Sequence, residues 1–267
     1  MRNRLSLLAA ALLVAGTASA RVVTKPVAYE HAGVKLEGLL AYDDAKSAKG
    51  KLPGVLVLPE WWGLTAYPKG RAEQLAAMDY VAFAADMYGA GVTTEDPKKA
   101  GDLAGGFYGK PLMAERARAG LDALLKTGLV DPAKVAAVGF CFGGSAAQAL
   151  AYAGAPLAGI VSFHGGPVNA PAEATGKVKA KFLLLNGAAD PMVKPEVKAA
   201  LQKSLEDAKI DFQSVDYANA KHAFSNVDAD RLAKANGLTA AIGYDEPAAR
   251  RSWKAMQVFF DEIFAGR

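Results

Sequence analysis

A single cysteine in 267 residues is the first constraint on this chain. One thiol can form no intramolecular disulfide, so the fold owes nothing to cross-links. Histidine is nearly as scarce, with three copies that lie far from one another and from the cysteine. They do not make a ligand cluster, and no metal is called for. No G-x-G-x-x-G stretch is present, so no nucleotide cofactor is expected. Lysine and arginine nowhere form a run. The formal net charge is +4, with acidic and basic residues interspersed, and we read no nucleic-acid partner from it.

Long apolar runs are missing too. Residues 5–14 are apolar but too few to cross a bilayer. Arg2 and Arg4 precede them, and the small residues Ala18-Ser19-Ala20 follow. This order resembles a secretory signal cleaved after Ala20, with an uncleaved anchor as the alternative. We expect residues 1–20 to be the signal and 21–267 to form one domain. The mature protein is then periplasmic or secreted, not inserted in a membrane, and a monomer. A lone thiol in an oxidising compartment is open to sulfenic acid formation and further oxidation. Either it is buried and inert, or it performs a task that serine performs less well.

What the chain does have is alternation. Apolar runs of strand length take turns with helical patterns, the signature of an α/β fold with a mostly parallel sheet and helices on both faces. Strands are expected at residues 35–42, 54–59, 80–86, 134–139, 157–163, 181–186 and 211–217. Helices are expected at residues 67–78, 115–126, 144–152, 195–209 and 247–264. Residues 96–109 are rich in glycine and read as a loop near the site. In such a sheet the ligand crevice lies outside the carboxyl ends of the strands.

Three segments put reactive groups at those ends. Gly139-Phe140-Cys141-Phe142-Gly143-Gly144 joins an apolar strand to a small-residue helix. This is the G-x-nucleophile-x-G elbow, with cysteine where serine is commoner. The sharp turn at the nucleophile leaves no room for side chains two residues either side. A free thiol is only a few per cent ionised at neutral pH, so a base is required. Asp190 ends a short loop after the strand at 181–186, and His222 follows the strand that ends near Tyr217. Nucleophile, acid, histidine is the chain order of α/β-hydrolases.

These segments, with Pro59-Glu60-Trp61-Trp62-Gly63 and Asp86-Met87-Tyr88-Gly89, give the chain a resemblance to the dienelactone hydrolase family over roughly residues 34–264. The resemblance implies Cys141 as nucleophile, His222 as general base and then acid, and Asp190 as the group that orients the imidazole. It implies that Glu60 lies beside the thiol and helps to activate it when substrate binds. Its place at the end of an apolar strand agrees. The N–H groups of Phe142 and, by analogy, Trp61 are expected to form the oxyanion hole.

One part of the family pattern is missing. Members that act on dienelactone hold its carboxylate with two arginines. The matching stretches here, Tyr88-Gly89-Ala90-Gly91 and His222-Ala223-Phe224-Ser225-Asn226, carry none. A carboxylate clamp needs that planar fork. The expected substrate is therefore a small-molecule ester or lactone that is neutral or differently charged, with Tyr88, Trp62, His164 and Asn226 as candidate pocket residues. His31 reads as a turn residue. The alternatives to an ester hydrolase are a non-catalytic small-molecule binding protein on the same scaffold and an acyltransferase.

Overall fold

The computed structural model describes residues 22–265. The expected signal segment therefore lies outside the described residues. The chain runs through β1 (Val22–His31), β2 (Val34–Asp43), α1 (Asp44–Ser47), β3 (Leu52–Leu58), α2 (Ala66–Ala76), β4 (Val81–Ala84), α3 (Pro97–Gly105) and α4 (Leu112–Lys126). It continues through β5 (Val130–Phe140), α5 (Phe142–Tyr152), β6 (Gly159–Phe163), β7 (Lys181–Gly187), α6 (Pro195–Asp207), β8 (Phe212–Tyr217), α7 (Ala229–Ala235) and α8 (Glu246–Phe264). The strands form one eight-stranded sheet in the order β1-β2-β4-β3-β5-β6-β7-β8. β3 to β8 are parallel, while β1 and β2 form an antiparallel hairpin joined to β4 at one edge.

The central strands are apolar on both faces because both are covered. Leu56 and Leu58 of β3, Phe83 of β4 and Ala137 of β5 pack with Leu121 and Leu124 of α4, Leu150 of α5 and Leu205 of α6. Their alternates Val55, Val57, Ala82, Val138 and Phe140 pack with Leu75 of α2 and Met256 and Phe260 of α8. Each such leucine or phenylalanine, fully buried, contributes about 1.5–3 kcal/mol of transfer free energy. The period-2 alternation thus sorts the residues of the central strands into two apolar layers.

Three expectations need correction. Residues 96–109 are not a loop along their whole length, because Pro97–Gly105 is helical. Asp96 accepts a hydrogen bond from the Lys99 N–H at 3.0 Å, and Pro97 presets the first turn, so capping outweighs the glycines. The strand β1 was not expected at all. Thr24, Lys25 and Pro26 break its apolar alternation, as an edge strand tolerates. His31 is the last residue of β1, not part of the turn, and its Nδ1 accepts from Arg116 Nε at 3.2 Å. The short helices α1 and α7 also had no clear periodic signal. Among the described residues no helix is long and apolar enough to cross a membrane.

Candidate active site

The carboxyl ends of β3, β5, β7 and β8 deliver Glu60, Cys141, Asp190 and His222 to one rim of the sheet. Cys141 sits between β5 and α5 with φ 53° and ψ −116°. A non-glycine residue at positive φ is strained, and here the surrounding backbone holds it in place. A methyl on Gly139 would run into the Gly143 carbonyl, and one on Gly143 into that of Leu58. The Cys141 N–H donates to the Phe163 carbonyl at 3.0 Å, and its own carbonyl accepts from Gly144 at 2.9 Å. The side chain is thereby held out of the turn and is only partly covered.

His222 and Asp190 form a buried pair, with Nδ1 of the ring 2.8 Å from Oδ2 of the carboxylate. Asp190 is fixed in turn, since Oδ1 accepts from the Met192 N–H at 2.8 Å. Nε2 of His222 is buried and has no hydrogen-bond partner among the described residues. Burial alone would push the imidazole pKa down. The Cys141 thiolate and the Asp190 carboxylate outweigh that and hold it well above the ordinary value. With Nδ1 held by Asp190, Nε2 is the ring nitrogen left for the Cys141 side chain, which is among the causes of the raised pKa.

Glu60 is buried, and its Oε2 accepts from Asn226 Nδ2 at 2.7 Å. Burial raises its pKa to about 7, although the Asn226 amide, His222 and Arg71 all favour the carboxylate. Asn226 Oδ1 accepts from the Asp228 N–H at 2.9 Å, so the amide is fixed at both ends. Around the thiol, Tyr88 packs 5.7 Å from the Phe142 ring and donates its hydroxyl to the Trp61 carbonyl at 3.1 Å. Burial first, and then the Cys141 charge, keep that phenol protonated. The Phe142 N–H opens α5 and so has no acceptor within its own helix. Among the described residues the Trp61 N–H donates to no other backbone carbonyl.

The remaining pocket candidates take different places. Trp62 is buried in a small cluster with Ala100 and Leu232, beside Trp61. His164 lies behind the imidazole of His222, with the rings edge to face at 5.3 Å. Its Nε2 bonds the Ser225 hydroxyl at 2.8 Å, and that hydroxyl also bonds Tyr67 Oη at 2.7 Å. Burial, with the His222 and Arg71 charges, holds the His164 pKa well below its ordinary value. Ser225, Tyr67 and Arg71 escaped the sequence reading. Tyr67 and Arg71 are spaced i, i+4 on α2, a pattern that marks one helix face but names no target. Tyr108, 5.8 Å from the Phe142 ring, lay in the segment read as a loop.

The profile of the dienelactone hydrolase family matches residues 36–264. The chain belongs to this family. It is a hydrolase acting on ester bonds, and its sheet is the α/β-hydrolase sheet. Among solved structures it is similar to a dienelactone hydrolase-like promiscuous phosphotriesterase from metagenomic libraries. That protein is 38% identical with a TM-score of 0.85, and the match covers 91% of this chain and 99% of that one. The structure named m3DLH is 36% identical with a TM-score of 0.86 over the same shares, 91% and 99%. A relative from Aquifex aeolicus, provisionally named a carboxymethylenebutenolidase, is 27% identical over 88% of this chain and 96% of its own. This dienelactone hydrolase family member has no arginine in Tyr88-Gly89-Ala90-Gly91 or in His222-Ala223-Phe224-Ser225-Asn226.

Proposed function

We propose that the protein hydrolyses a neutral carboxylic ester or lactone through a thioester on Cys141. The observation that carries this reading is the buried His222–Asp190 pair, which leaves Nε2 free and whose imidazole is raised in pKa by the Cys141 side chain as well as by Asp190. His222, assisted by the Glu60 carboxylate, takes the thiol proton. The thiolate attacks the carbonyl, and the oxyanion is held by the Trp61 and Phe142 N–H groups, each worth about 3 kcal/mol in comparable sites. The alcohol leaves with the proton from His222. Water then gives a proton to His222 and attacks the thioester, which releases the acid and restores the thiol.

The absence of the two expected arginines supports a substrate without a carboxylate beside the scissile bond. The promiscuity stated for the phosphotriesterase relative makes neutral phosphate triesters the second class to assay. The basic start, short apolar run and Ala18-Ser19-Ala20 support action after export. The test is alkylation with iodoacetamide, followed by mass spectrometry and by turnover of p-nitrophenyl acetate. Label should fall on Cys141 and activity should fall in step with it. Full activity in completely labelled protein would overturn the reading.

A further inference from the structure

Beside the catalytic rim, and not lined by Cys141 or His222, lies a cavity of about 480 Å³. That volume is in the range of small-molecule sites. One wall is α2, with Tyr67 and Arg71. The other is the start of α7 with the loop before it, from Asn226 to Leu232. Trp62 also lines it, and Trp62 and Leu232 belong to one apolar cluster. Asn226 separates this space from Glu60, to which it donates at 2.7 Å.

The cavity has one cation without a salt-bridge partner, with the buried Glu60 carboxyl the acid on which its charge acts. Arg71 donates from Nη1 to Gln74 Oε1 at 2.8 Å and from Nη2 to the Ser225 carbonyl at 2.6 Å, both neutral acceptors. Among the described residues it has no ion-pair partner, and a guanidinium carries five N–H donors, so beyond Gln74, Ser225 and the Tyr67 hydroxyl part of its donor capacity remains. Its plane is held by the Trp253 and Tyr67 rings, 4.6 and 5.1 Å from Cζ. A planar fork held flat is suited to a planar anion.

The outer rim is different. Arg231 is shared between Asp228 at 2.6 Å and Glu95 at 2.7 Å, all three partly exposed. One guanidinium against two carboxylates leaves one net negative charge there. That rim repels a second anionic group while Arg71 accepts the first. The apolar surface of Trp62 and Leu232 suits a flat or short hydrocarbon body laid against it.

We propose that this cavity is a binding site for a monocarboxylate with a small apolar body, its carboxylate on Arg71 and its body against Trp62 and Leu232. Such an acid is what hydrolysis of a neutral ester releases. Only that source of the ligand rests on the proposed esterase function; the binding itself does not. The cavity therefore offers a place for the acid product one wall away from the thiol.

The probe is 4-bromobenzoate, with 4-bromobenzamide and terephthalate as controls. Affinity is measured by calorimetry on the full mature protein, and the bromine is located by anomalous diffraction from soaked crystals. Bromobenzoate should bind at least ten-fold more tightly than either control, with bromine inside the cavity against Trp62 and Leu232. Arg71→Met should weaken it at least ten-fold. Arg71→Lys, which keeps the charge and the side-chain stem, should weaken it less. Equal binding of acid and amide, or bromine found only outside the cavity or beside Cys141, would overturn the proposal. Turnover of p-nitrophenyl acetate is assayed separately, so an inactive protein that binds bromobenzoate leaves this site standing, and an active one that does not bind removes it alone.

Discussion

His222 and His164 are both buried, with ring centres 5.3 Å apart, yet their surroundings drive them in opposite directions. Burial pushes both toward the neutral form. Around His222 a thiol and a carboxylate reverse that push. Around His164, whose ring bonds only a serine hydroxyl, the charges of His222 and Arg71 reinforce it. The company a buried imidazole keeps therefore decides its charge, and depth in the core does not. One ring is set to carry a proton during turnover. Its neighbour is set never to compete for that proton.

The strongest way to break this comparison is to remove the ring assigned the chemistry. His222→Ala should lower kcat/KM for p-nitrophenyl acetate by about 10⁴-fold or more. A rate within ten-fold of the native enzyme would erase the distinction between the two histidines. Next in size is Glu60→Gln. Proton transfer by a positioned carboxylate is worth about 10²-fold or more. The native rate should climb as pH rises through about 7, where the Glu60 carboxyl ionises. The variant should lose that inflection as well as about 10²-fold in rate. An unchanged pH profile would remove Glu60 from the proton path.

The smallest effect belongs to His164. His164→Phe deletes its bond to Ser225, a contact of the kind worth about 1 kcal/mol, and kcat should fall no more than about ten-fold. Its clearer signature is in stability. Unfolded, His164 binds a proton below about pH 6.5, while the folded site refuses it, so acid favours unfolding. His222 acts in the other sense, because its raised pKa adds stability at low pH that is lost as pH rises through the folded value. Replacing His164 leaves the second contribution alone. The fall in Tm between pH 7.5 and pH 5, read by scanning calorimetry, should shrink in His164→Phe. A fall as large as in the native protein would show that His164 is not held neutral.

The parallel sheet was legible in the sequence because buried strands such as Val55-Leu56-Val57-Leu58 are apolar on both sides and leave a continuous run. The strand-end placement of Cys141, Asp190 and His222 was legible because glycine spacing and chain order survive in one dimension. The hairpin strand β1 was not, since an edge strand bearing Lys25 and Pro26 has no apolar alternation to detect. The cluster of Tyr67, Arg71, Ser225 and His164 was hidden for another reason. Its members lie up to 158 residues apart and meet only because α2 packs beside the loop after β8. Side chains that bond across such distances leave no periodic trace.

The helix α3 combines a good cap with poor filling. A methyl added at Gly101 or Gly105 would meet no atom within 4 Å, whereas the elbow glycines have no such room. Alanine in a helix interior is favoured over glycine by about 0.5–1 kcal/mol, mostly through the freedom lost by the unfolded chain. Ala100 of the same helix supports Trp62. The stiffness of the support under that indole is therefore open to adjustment by single-carbon changes, so thermal hardiness can be tuned at α3 without touching the catalytic rim.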